Sequence, residues 1–285
     1  MSGLPHPSDL ELFGLLVAEG GDTGRFELRS GLVRHDGALY GGTGLAVSVA
    51  AMEAATQRDA LWCSTQFVSQ PHKGDTVTWE VERLAVGRRA AQLLVRATGN
   101  ETTAFVAIGS TGIAKADGLT GQYVAMPTVK GPDESPPRMS AMPADPGADS
   151  WARHVEMREA ALVGAGGPTV AFWARMREGE ALTPAVLAFI ADFVPLAVAR
   201  AAGKMGAGSS LDNSMRFHGG AADAEWVLIE LFGELAHGGF GHGSLRIWTE
   251  AGQLIATGSQ SASMRYLFDE GEAPNLPQPP TAPGG

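Results

Sequence analysis

Two parts of the chain repeat one order of apolar and polar positions. In each, an alanine-rich run that is apolar on nearly every side stands upstream of shorter runs in which apolar and polar residues alternate. The first apolar run is GGTGLAVSVAAMEAAT, Gly41 to Thr56, and the second is LTPAVLAFIADFVPLAVARAAG, Leu182 to Gly203. Alternating runs follow the first at TVTWEVERL and AQLLVRATG, and the second at WVLIELFG and GSLRIWTE. Turn residues mark the breaks, as at Gly99-Asn100 and Ala251-Gly252. The pattern predicts one buried helix and several antiparallel strands per half. Thr183 as N-cap and Pro184 at the first helical position predict a single second helix over 183–202. A helix that is apolar all round must be enclosed, and a curved antiparallel sheet around a central helix does that.

The repeat is also visible in identities. VAIGST, Val106 to Thr111, matches IATGSQ, Ile255 to Gln260, at an offset of 149 residues. At the same offset Cys63 falls on Asp212 and Thr111 on Gln260, and Asp192 falls on Gly41 at an offset of 151. The expected organisation is a first half over 1–115, a linker over 116–149, a second half over 150–268 and a tail over 269–285. The linker contains GPDESPPRMSAMPADPG and reads as an exposed connector, and the tail, ending PNLPQPPTAPGG, as disordered.

Composition narrows the classes. The net charge of −10 and pI near 5.2 argue against a nucleic-acid partner or an anionic membrane surface. One cysteine, Cys63, permits no intrachain disulfide, as expected in a reducing compartment. The start, MSGLPHPSDLELFG, shows no basic residues followed by a long apolar run, so a cytoplasmic location is expected. The run 182–203 is long enough to suggest a membrane span, but Asp192, Pro195 and Arg200 within it favour a buried core helix.

Four stretches carry a resemblance. LYGGTGLA, then STQFVSQP with VTWEVERLAVGR, then SLDNSMRFHG, then GQLIATGSQSASMR occur in this order between Gly31 and Tyr266. Together they resemble the acyl-CoA thioesterase II family, whose single chain carries two fused hotdog folds. The resemblance implies an α+β double hotdog: two antiparallel sheets, each wrapping a central helix, fused into a pseudo-dimer. It implies hydrolysis of acyl-CoA thioesters to free acid and CoA, with no metal and no organic cofactor. In the family an Asp, a Ser or Thr, and a Gln of the second hotdog hold the attacking water. Asp212 matches the Asp and Gln260 the Gln. An ungapped count from Trp226 puts Glu234 at the third position, and a slip of one to three residues brings forward Gly233 or His237. Asn213 stands where the family has a histidine, and Gly219-Gly220 where it has Arg-Pro.

These assignments make chemical sense. A carboxylate can take the water's proton, and a neutral amide can hold the same water without competing for it. The backbone N–H groups of Gly41, Gly42 and Thr43, at a helix start, could meet the developing oxyanion. Only the second half carries the water-holding pair, so one site per chain is expected. Each residue also has a plainer reading: Asp212 as a turn residue, Gly41-Gly42 as a tight turn, Gln260 as an edge-strand surface residue. His237 and His242 lie in a glycine-rich loop without a nearby cysteine and read as loop rather than metal ligands. Asp192, inside an apolar helix, needs a partner and reads as a structural anchor or a remnant of a second site. Arg88-Arg89 are candidates for the CoA phosphates. The rival functions are a catalytically silent acyl-thioester-binding hotdog protein and a hotdog hydratase or dehydratase. The latter is disfavoured because neither helix contains a histidine. A homodimer is compatible with the reading, and the acyl chain length is left open.

Overall fold

A computed structural model of the protein describes residues 4–138, 149–160, 169–204, 206–219 and 224–266. The tail expected over 269–285 and residues 139–148 of the expected linker lie outside the described residues. In chain order the elements are α1 (Pro7–Phe13), β1 (Leu16–Val17), β2 (Thr23–Glu27), α2 (Gly41–Thr56), β3 (Asp59–Phe67), β4 (Thr76–Val86), β5 (Ala90–Gly99) and β6 (Thr102–Gly112). The second half follows with β7 (Val155–Glu159), β8 (Thr169–Met176), α3 (Pro184–Ile190), α4 (Val194–Ala201), β9 (Gly206–Phe217), β10 (Val227–His237), β11 (Phe240–Thr249) and β12 (Leu254–Tyr266).

The strands form one twelve-stranded antiparallel sheet rather than two separate ones, in the order β1-β2-β4-β5-β6-β3-β9-β12-β11-β10-β8-β7. Numbered within its own half, each set of six runs in the same order, so the whole order is a palindrome about the β3–β9 pair. Those two strands run antiparallel with Ser64 opposite Ser214, and this is where the halves join. A twofold-like relation of two equal units follows. This is the double hotdog architecture.

The helices show why enclosure is required. α2 is buried at every position from Gly41 to Ala55. The strands of the first half cover one side of it, and α3 covers another. The second helix is not the single helix expected. It breaks at Ala191–Phe193 into α3 and α4. Pro195 explains the break: it has no N–H to donate, and its ring would strike the carbonyl of Ala191 four residues back. Thr183 caps α3 as expected, its hydroxyl accepting from the Val186 N–H at 3.1 Å. The apolar span 184–201 could cross a membrane by length and hydropathy, but most of it is buried within the protein.

The connector is not simply exposed. Met126 and Val129 pack on the back of the second-half sheet against Trp173, Trp226, Trp248 and Leu228, making a second small core. Trp173 Nε1 donates to the Lys130 carbonyl at 2.8 Å, and Gln122 bonds Gly252 and Leu254. Tryptophan side chains on that face would otherwise expose a large apolar area, and the connector covers it.

Candidate active site

The first turn of any α-helix leaves N–H groups without acceptors. The N-cap of α2 is Tyr40, whose side chain makes no capping bond. The acceptor comes instead from the break between α3 and α4: the Gly42 N–H donates to Asp192 Oδ2 at 2.9 Å. The glycine pair is what lets the two backbones come this close. A Cβ at Gly41 would lie 2.6 Å from Asp192 Oδ2, and one at Gly42 would lie 2.3 Å from the Phe189 carbonyl oxygen and 2.5 Å from the Tyr40 ring.

The other carboxylate oxygen faces the strands of the second half. Asp192 Oδ1 accepts from Gln260 Nε2, from Asn213 Nδ2 at 3.2 Å and from Ser210 Oγ at 3.5 Å. Gln260 Nε2 also reaches Ser210 Oγ at 2.7 Å. Ser210 and Asn213 are three positions apart on one strand, where regular alternation would put them on opposite faces. A β-bulge reconciles them: Asp212 lies opposite Ser261 and Ser210 opposite Ala262, leaving Leu211 as the extra residue.

Asn213 and Gln260 are fully buried, whereas Asp192 as a residue is half-buried, so solvent reaches this corner. Burial of the carboxyl group raises the Asp192 pKa above the ordinary carboxylate value, while the bonds from Gln260, Gly42, Asn213 and Ser210 pull it down. Two buried acceptors beside it, Gln260 Oε1 and Asn213 Oδ1, have no donor among the described residues. A carboxylate with an elevated pKa next to unsatisfied amide oxygens can hold and deprotonate a water.

The structure does not bring Asp212 to Gln260. Asp212 lies on the outer face, where its Oδ1 accepts from the Ser261 N–H at 3.0 Å. The register is the reason: Gln260 pairs with Asn213 and faces inward with it, so Asp212, its neighbour, faces out. Glu234 is also on the outside. It accepts from Ser244 Oγ and lies 3.8 Å from His242 Nε2, while His242 Nδ1 is 3.1 Å from Ser261 Oγ. Asp212 and Glu234 thus flank one outer ladder, Asp212–Ser261–His242–Glu234, from which Gln260 is excluded.

The other predicted residues divide. Gly41 and Gly42 are at the site, but the Gly42 N–H is already bonded to Asp192 rather than free for an oxyanion. The Gly41 N–H has no intrahelical acceptor by position. Thr43 turns inward: its N–H bonds the Tyr40 carbonyl at 3.0 Å and its hydroxyl the Leu32 carbonyl at 2.9 Å. Arg88 and Arg89 occupy the β4–β5 turn, where Gly87 accepts from Arg58, just past the C-terminal end of α2. That end is about 24 Å from Gly41 at 1.5 Å per residue, so they do not adjoin the site. Burial pushes the Cys63 thiol up to about 12, which leaves no thiolate to act as a nucleophile. Among the described residues no cluster of three potential metal ligands occurs. Asp192 is where Gly42, Gln260 and Asn213 meet, and sequence reasoning read it as a structural anchor or a remnant of a second site. Its signal was a carboxylate in an otherwise apolar run.

Sequence profiles of two domains match this chain: the acyl-CoA thioesterase N-terminal domain over residues 32–112 and the acyl-CoA thioesterase C-terminal domain over residues 132–264. The chain belongs to the acyl-CoA thioesterase family. It is a thioesterase, and the family implies acyl-CoA as substrate. A solved structure from Novosphingobium aromaticivorans DSM 12444 with a provisional thioesterase name is 30% identical, with a TM-score of 0.78 over 87% of this chain and 97% of that one. An acyl-CoA thioesterase II, TesB2, from Mycobacterium marinum shares the fold at 21% identity, with a TM-score of 0.71 over 92% of this chain and 99% of that one. A tesB protein from Mycobacterium avium subsp. paratuberculosis does so at 20% identity, with a TM-score of 0.72 over 91% and 98%. No curated protein matches the chain significantly.

Proposed function

We propose that Asp192, not Asp212, is the general base of thioester hydrolysis in this thioesterase. The observation that carries the reading is the convergence of the Gly42 N–H, Gln260, Asn213 and Ser210 on one carboxylate whose pKa burial raises. A water donates one hydrogen to Asp192 and the other to Gln260 Oε1 or Asn213 Oδ1. Its oxygen attacks the thioester carbonyl carbon as the proton passes to Asp192. Once neutral, Asp192 holds the Gly42 N–H less tightly, and that donor joins Gly41 at the oxyanion. Collapse of the tetrahedral intermediate breaks the C–S bond, and the proton on Asp192 goes to the CoA sulfur.

The test is thiol release from acyl-CoA by the parent, Asp192→Asn and Asp212→Asn. Loss of a general base costs about 10²–10⁴-fold in rate, and that loss is expected for Asp192→Asn alone. Parent-like turnover by Asp192→Asn, or the full loss in Asp212→Asn, rejects the assignment.

A further inference from the structure

We infer that the acyl group this site accepts is compact, an aryl ring or a short chain, and not a long linear chain. The inference rests on Asp192 being the cleaving group, since it concerns the space around that residue. Two sets of contacts support it.

The first narrows the routes inward from Asp192. α4 lies directly on its sheet at four glycines. A Cβ would come within 2.8 Å of Pro195 at Gly208, 2.6 Å of the Ala197 carbonyl oxygen at Gly233, 2.6 Å of Val198 at Gly241 and 2.9 Å of Val194 at Gly243. An alkyl chain needs about 3.5–4.0 Å between its carbons and each wall. At these four strand positions not even a methyl group fits, so no such passage crosses them beneath α4, and the void there is confined to its C-terminal end, at Val198, Ala201 and Ala202. On the other side α2 meets α3 at the same distance scale, at Gly42 against the Phe189 carbonyl, and Phe189 is fully buried.

The second set describes the wall that solvent does reach. Phe193, next to Asp192, and Trp151 are both half-buried. The Trp151 ring stacks on Tyr40 at 4.8 Å between centroids and meets Phe193 edge-on at 5.1 Å. Phe172 backs Phe193 at 5.1 Å, and Phe189 backs Tyr40 at 5.5 Å. A wall of fixed rings held by rings presents faces and edges that suit a planar acyl group. It cannot lengthen to follow a flexible chain.

The experiment measures kcat/KM for acetyl-, benzoyl-, phenylacetyl-, octanoyl- and palmitoyl-CoA. In parallel it measures Kd for the hydrolysis-resistant thioether analogues of the benzoyl and palmitoyl substrates. Benzoyl- or phenylacetyl-CoA is expected to exceed palmitoyl-CoA by about 10-fold or more, the scale of discrimination a shaped apolar pocket supplies, and the analogues should bind in the same order. Trp151→Ala should narrow that ratio several-fold with an unchanged circular dichroism spectrum. Equal or better turnover and binding of the palmitoyl compounds overturns the inference and leaves the role of Asp192 standing. Aryl-selective binding without turnover of any thioester supports the compact site and rejects the catalytic reading. Failure of both analogues to bind overturns the inference.

Discussion

Asp192 caps the first turn of a helix 150 residues upstream: its Oδ2 accepts the Gly42 N–H at 2.9 Å. The same carboxylate holds Gln260 and Asn213 through its other oxygen. One side chain therefore ties the first-half helix to the second-half strands. The bond that terminates α2 also orients the proposed base, so folding and catalysis share it.

The glycine pair separates those two roles. Gly41→Ala places a methyl group 2.6 Å from a side-chain oxygen that can shift, whereas Gly42→Ala places one 2.3 Å from a backbone oxygen that cannot. Gly41→Ala is expected to lower thiol release by about 10-fold or more, by displacing the base, with little change in Tm. Gly42→Ala should lower Tm markedly, since overpacking costs about 1–3 kcal/mol. Thermal melts and turnover measured on both variants check the split, and equal effects on the two readouts would count against it.

The rate should depend on pH through Asp192. The base acts only when ionised, and its pKa lies above the ordinary carboxylate value because of burial. log(kcat/KM) is therefore expected to rise with pH and to bend above the range of an exposed Asp. Gln260→Leu removes a donor that favours the charged form, so it should move the bend to higher pH and reduce the rate. A bend near pH 4 in the parent would contradict the assignment.

Stability should depend on pH through a different pair. Asp9 of α1 is fully buried, accepts from Thr183 Oγ1 at 2.8 Å, and has its pKa raised by burial to about 7. Glu53 of α2 accepts from the Ala60 N–H at 2.9 Å and is raised to about 8, mainly by burial and partly by the charge of Asp9. In the unfolded chain both titrate near pH 4. Between about pH 4 and 8 the folded state thus binds more protons than the unfolded one. The stability these two groups contribute is full below pH 4, falls as pH rises through 7 and 8, and is gone above. Denaturant melts from pH 4 to 9 should show this decline on top of other titrations, and Asp9→Asn with Glu53→Gln should flatten it. An unchanged profile in the double variant would reject the pair as its source.

The connector should be loosened at one side chain. Trp173→Phe removes the Nε1 donor to the Lys130 carbonyl together with the five-membered ring of the indole, which is buried. A buried hydrogen bond contributes about 1 kcal/mol and the vacated space adds to that, so global stability should fall by more than about 1 kcal/mol. Limited proteolysis should meanwhile cut faster within 113–131, and an unchanged cleavage rate would show that Met126 and Val129 alone hold the segment.

Much of the architecture was legible in the pattern. An enclosed helix needs a wrapping sheet, and two such runs with strand runs at one offset require two similar units. The Gly41-Gly42 step and Gln260, which meet at Asp192, were also legible as candidates, because glycine before a helix and an amide at the end of an apolar strand are local signals. What the chain alone determined, then, was which periodicities exist and where polar groups interrupt them.

Which carboxylate meets Gln260 was decided only by tertiary structure. Period-two alternation would put Ser210 and Asp212 on one face. One extra residue, Leu211, reverses that: Ser210 shares the inner face with Asn213, which pairs with Gln260, and Asp212 faces out. Pro195 breaks the second helix next to Asp192, and the twofold-like packing brings that break to the start of α2. A bulge depends on the partner strand, and a helix-to-helix cap depends on contacts across 150 residues. Neither is encoded in local spacing, so the position of Asp192 could emerge only when the two halves closed on each other.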